Sequence, residues 1–102
     1  MINIHDLDIA NVTQNYYDET RIDINFYLIN SHYQLHVRKN EKGVFQPFNI
    51  YHIKKTGKCL YCDGSEGGCR GLGMHINELF LRLIEFPSIR LEWLYLPHAV
   101  KA

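Results

Sequence analysis

Between residues 21 and 30 apolar and polar side chains alternate, with Ile22, Ile24, Phe26 and Leu28 on one side and Asp23, Asn25 and Tyr27 on the other. A period of two marks a strand with one buried and one wet face. Residues 32–39 repeat the pattern, setting Tyr33, Leu35 and Val37 against His32, Gln34, His36 and Arg38. A tight connection at Asn30 and Ser31 makes these two strands a hairpin. It places Leu28 opposite Tyr33, Phe26 opposite Leu35 and Ile24 opposite Val37, so one register joins every apolar position. A turn at Asn40-Glu41-Lys42-Gly43 then adds a third strand, with Ile50 opposite Tyr33 and Phe48 opposite Leu35 on the same apolar side. Pro47 has no N–H for the ladder, so this strand is expected to have a free edge or a bulge around that residue.

The alternation stops after residue 53. Residues 54–71 hold Lys54, Lys55, the three cysteines and several glycines, and read as a long loop. Beyond it Leu72, Ile76, Leu79, Phe80, Leu83 and Ile84 recur at helical spacing, while Asn77, Glu78, Arg82 and Glu85 fall mostly on the other side. Pro87 stops this helix, and Ile89, Leu91, Trp93 and Tyr95 alternate again as a final strand. The first twenty residues fit neither period well and read as a short strand followed by irregular chain. The expectation is an α+β fold: a three-stranded antiparallel meander at about residues 21–53, one amphipathic helix at about 72–86 laid on its apolar face, and a final strand at about 89–96. Phe26, Phe48, Phe80 and Trp93 are expected to point inward.

Composition is consistent with a packed core. The chain has 102 residues, the size of one domain, with 46% hydrophobic and 22% charged residues. No apolar run reaches the length of roughly 18 residues that a membrane span needs. Residues 1–8 mix charges with Ile2, Ile4 and Leu7, unlike a signal peptide or an anchor. Three cysteines crowded into one loop do not resemble a secreted disulfide framework, which points to a reducing, cytoplasmic setting. Net charge is zero but unevenly spread. Residues 1–30 carry Asp6, Asp8, Asp18, Glu19 and Asp23 against Arg21, whereas residues 31–58 carry Arg38, Lys39, Lys42, Lys54, Lys55 and Lys58 against Glu41. Such asymmetry suits a complementary partner or self-association better than indiscriminate nucleic-acid binding, which wants a basic excess.

The sharpest local chemistry is Cys59-Leu60-Tyr61-Cys62 followed by Cys69. Two thiolates at that spacing can share one tetrahedral zinc, with Cys69 as third ligand and His75 as fourth, or His52 or Asp63 in its place. Against one structural zinc stands the simpler reading that small thiols pack a loop, with no cofactor. A redox pair is disfavoured because the helix begins about ten residues too late to lower a thiol pKa. The glycines of residues 64–73 match no phosphate-binding pattern. No serine, histidine and acid are spaced for nucleophilic catalysis, and no carboxylate pair can be nominated. His32 and His36 lie about 13 Å apart along a strand and cannot chelate one ion.

What remains is the polar face of the meander. Tyr27, His32, Gln34, His36, Arg38 and Tyr51 form a candidate partner-binding surface, because tyrosine and arginine on a rigid sheet make good interface anchors. The expected function is a small non-enzymatic interaction module of inhibitor, immunity or adaptor type. Its partner would be another protein, with self-association open and no membrane role. One alternative is a zinc-stabilised nucleic-acid-binding domain using Lys54, Lys55, Lys58 and Arg70, with basic and aromatic residues such as Arg38, Lys39 and Tyr51 along a single strand. The other is a thiol-dependent enzyme or redox protein that brings Cys62 close to His75 or His52.

Overall fold

The computed structural model describes residues 3–29, 31–53 and 69–90. Four strands, β1 (Ile9–Asp18), β2 (Arg21–Leu28), β3 (Ser31–Lys39) and β4 (Phe45–Ile53), form one antiparallel sheet in the order β1-β2-β3-β4. A 3-10 turn at Ile4–Asp6 precedes β1, and two short helices, α1 (Arg70–Gly73) and α2 (Ile76–Leu83), follow β4. The fold is thus α+β, with an apolar sheet face under a helical layer. Ile22, Ile24, Phe26 and Leu28 of β2, Tyr33, Leu35 and Val37 of β3, and Ile50 of β4 are buried there together with Leu72, Leu79, Phe80 and Leu83. Phe26 stacks on its cross-strand partner Tyr33 at 5.5 Å between ring centres.

The meander has one strand more than the alternation predicts. Residues 9–18 form a full strand, not a short one followed by irregular chain. Ala10 pairs with Tyr27 and Thr13 with Asn25, so Asn11 and Val12 together oppose the single residue Phe26. This bulge turns both Ile9 and Val12 inward at a spacing of three, which hides the period of two that marks a strand. Asn11 sits at φ 53°, a left-handed conformation that asparagine tolerates better than most residues.

The β2–β3 register also differs from expectation. Leu28 pairs with Ser31, Phe26 with Tyr33, Ile24 with Leu35 and Ile22 with Val37, so the two-residue connection is 29–30, one residue earlier than Asn30-Ser31. Its first residue, Ile29, is exposed at φ 57°. A two-residue connection between right-twisted strands favours positive φ, which is strained for a β-branched residue. In the β3–β4 ladder Tyr33 faces His52 and Leu35 faces Ile50, then the register slips between His36 and Val37, and Val37 faces Pro47. Both expectations for Pro47 hold among the described residues, where β4 is an edge strand and is bulged beside it. Phe48 is the extra residue. The slip inverts the facing of everything before it, so Phe48 turns outward and Phe45 fills the core.

The expected single helix at 72–86 is two pieces, interrupted at Met74 and His75. Gly71 and Gly73 give the first turn little intrinsic helicity, and His75 offers no side-chain cap. The apolar spacing still serves, because Leu72 and α2 bury one face against β4. Helix α2 ends at Leu83 and the chain turns through Ile84 and Glu85, ahead of Pro87, which disfavours helix at the residue before it. Arg82, expected on the polar side, donates from Nη1 to the carbonyls of Ile4 (2.7 Å) and Leu7 (2.8 Å), tying the N-terminal turn to the helical layer. Of the expected final strand, Ile89 is buried and follows a turn, Arg90 is not in a strand, and residues 91–96 lie outside the described residues. Among the described residues no helix is long and apolar enough to cross a membrane.

Candidate functional site: the outer face of the sheet

Strand alternation that buries the apolar side necessarily aligns the polar side. Tyr27, His32, Gln34, His36, Arg38 and Tyr51 all lie on that outer face, as the pattern predicts. The structure adds that they are held. Arg21 grips Asp23 with two bonds, Nε to Oδ1 at 2.8 Å and Nη2 to Oδ2 at 3.2 Å. Gln34 donates from Nε2 to Asn25 Oδ1 at 3.1 Å, and His32 Nε2 meets the same oxygen at 2.9 Å. His36 Nε2 lies 2.6 Å from Gln34 Oε1 and 3.3 Å from Arg21 Nη2. Because Gln34 turns its oxygen towards His36, the neutral imidazole carries its hydrogen on Nε2 and donates it there. The result is a hydrogen-bonded row from His32 through Asn25 and Gln34 to His36, crossing β2 and β3, with the Arg21–Asp23 pair packed beside its His36 end. Asp23, Asn25 and His36 are buried beneath the longer side chains around them.

Rings cover this row. Tyr27 and His32 stack almost in parallel at 4.8 Å, and Tyr51 and Phe48 flank His36 at 4.7 and 5.7 Å. Arg38 lies over the Phe48 ring at 4.1 Å, and Arg21 over Tyr17 at 4.0 Å. Asn49 donates to the Tyr51 hydroxyl at 3.0 Å. Burial pushes the His36 pKa down, Asp23 opposes this, and Arg21 adds to it, so His36 is neutral near pH 7. The hydrogen bond with Asp23 raises Arg21. At the β1–β2 turn, hydrogen bonds from the Thr20 side chain and backbone N–H hold the exposed Asp18 carboxyl below its usual value.

Both Asp23 oxygens are engaged by Arg21, and among the described residues the strands place no cysteine or serine beside His36 on the outer face. Among the described residues no group of three His, Cys, Asp or Glu side chains could hold a metal ion. Of the expected zinc ligands, Cys59 and Cys62 lie outside the described residues. Cys69 is buried with the core, its N–H bonded to Ile50 O at 2.8 Å, and His75 lies at the α1–α2 break with Nδ1 3.8 Å from Glu78. The residues that sequence reasoning left out of the site are Arg21, Asp23, Asn25, Tyr17 and Phe48. The first three were legible, since Arg21-x-Asp23-x-Asn25 shares one face of β2 by alternation. Phe48 was not, because the bulge reverses its facing. Compared with protein-family models, curated proteins and solved structures, the chain finds no match in any of the three.

Proposed function

We propose that the protein is a small non-enzymatic interaction module of inhibitor, immunity or adaptor type, which binds another protein through the outer face of its sheet. The observation that carries this reading is the hydrogen-bonded row beneath the rings. It fixes Tyr27, His32, His36 and Tyr51 in place before any partner arrives. Preorganised aromatic and arginine side chains lose little conformational entropy on binding, and such residues dominate interface energetics. Capture from a nuclease-treated native lysate tests the reading. A protein retained by the wild type and lost on the double variant Arg38→Glu, Phe48→Ala is the expected outcome. Retention of nucleic acid instead, with a steep salt dependence, would overturn it.

The alternative is a zinc-stabilised nucleic-acid-binding domain. It is favoured by the bond that pins Cys69 to Ile50 of β4, two residues along the strand from His52. His52 then becomes a better candidate fourth ligand than His75. Stoichiometric zinc in the purified protein, and a melting temperature lowered by chelator, would support it; absence of both ends it.

A further inference from the structure

We infer that the outer face pairs with the same face of a second copy of this chain, about a two-fold axis parallel to the strands. This rests on the outer face being the interaction surface. The argument is geometric. The sheet order follows the chain order, so the uneven charge along the sequence becomes uneven charge across the sheet. Asp18 ends β1 and Glu19 begins the β1–β2 turn, and Lys42 lies in the β3–β4 turn. Both turns stand at the same end of the sheet, where Lys39 N bonds Thr20 O at 2.7 Å.

Two copies of a face can stack about an in-plane axis in two simple ways. An axis across the strands lays β1 on β1 and sets each acidic turn over the opposite end of the partner's β1 and β2, at Ile9 and Leu28. An axis along the strands lays β1 on β4 and β2 on β3, and keeps both turns at one end. Only the second brings the Asp18–Glu19 turn over the partner's Lys42 turn, twice in one dimer. It also sets Arg38 at the level of the partner's Arg21, whose charge is already met by the Asp23 carboxylate that it grips. A patch that is self-complementary under a two-fold is what an isologous dimer requires.

Size and charge agree with this. Four strands spaced roughly 4.8 Å apart, averaging about nine residues at roughly 3.3 Å per residue, present a face of about 550 Å². Stacking two such faces buries about 1,100 Å², close to the lower bound for a specific interface and appropriate to a weak, reversible dimer. The chain has zero formal net charge, so no overall repulsion opposes self-association. Among the described residues, every helix lies on the opposite face of the sheet.

Sedimentation analysis of the full chain from about 10 μM to about 1 mM provides the test. The wild type is expected to dimerise with concentration, and to weaken when sodium chloride rises from about 0.1 M to about 1 M, which shortens the Debye length from roughly 10 Å to roughly 3 Å. Glu19→Lys and Lys42→Glu, both at exposed turn positions, should each weaken the homodimer about tenfold, or 1.4 kcal/mol. Mixing these two variants should restore pairing, because each then meets the opposite charge at both contacts. Circular dichroism establishes that each variant is folded. A wild type that stays monomeric throughout, a dimer indifferent to salt and to both reversals, or a mixture that does not recover would overturn the inference. None of these results touches the lysate capture by the Arg38 and Phe48 face, which stands or falls separately.

Discussion

The two faces of one sheet are held in different ways. The inner face is mainly apolar, and its core side chains are covered, so its order comes from burial under α1 and α2, at roughly 25 cal/mol per Å² removed from water. The outer face has no helix over it among the described residues, yet Asp23, Asn25 and His36 are as inaccessible as many core residues. Its order comes from hydrogen bonds that join neighbouring strands side by side. Burial is non-directional and tolerates exchange of one apolar side chain for another. A hydrogen-bonded row is directional, and each member matters to the next. One face therefore specifies that the sheet folds, and the other specifies which surface it presents.

That contrast can be broken most severely from the inside. Phe26→Ala, which removes a fully buried ring and its stacking on Tyr33, should cost about 3–5 kcal/mol, measured as a lowered urea midpoint with unchanged slope. From the outside, Asp23→Ala leaves Arg21 without its carboxylate and should cost about 2 kcal/mol. If it cost as much as Phe26→Ala, the outer row would be a second core rather than a surface. Ile29→Gly touches neither face. It relieves a left-handed conformation at an exposed side chain and should raise stability by about 1 kcal/mol, seen as a higher melting temperature. No gain would mean that the connection carries no strain.

The smallest expected effect is a pH dependence confined to the outer face. The pKa of His36 is lowered in the folded protein, so between its unfolded value, about 6.5, and its folded value the unfolded chain binds more protons. Stability from this group is present above about pH 6.5 and is lost as pH falls through the folded value. The wild type should therefore lose more stability than His36→Gln on moving from pH 7 to pH 5. Equal losses would mean that His36 titrates as it does in the unfolded chain.

Alternation along residues 22–28 and 33–37 was enough to decide which side chains face inward, because the side-chain period of a strand is two. The same period assigns Tyr27, His32, Gln34, His36, Arg38 and Tyr51 to one surface. The helical spacing after Leu72 named the residues that cover the sheet. Local pattern could not choose the β2–β3 register: pairing Phe26 with Leu35 or with Tyr33 keeps the same faces, since the two registers differ by a whole period. Nor could it find β1, where the bulge at Asn11 puts Ile9 and Val12 three apart, or the facing of Phe48, reversed by the slip beside Pro47.

Hydrophobic periodicity thus determined the two faces, because facing is a property of each residue and its near neighbours. Registers, bulges, the Arg82 bonds to Ile4 and Leu7, and the row linking His32 to His36 were decided only by tertiary structure. Each of these depends on which residue from a distant part of the chain arrives opposite, and no local spacing encodes that arrival.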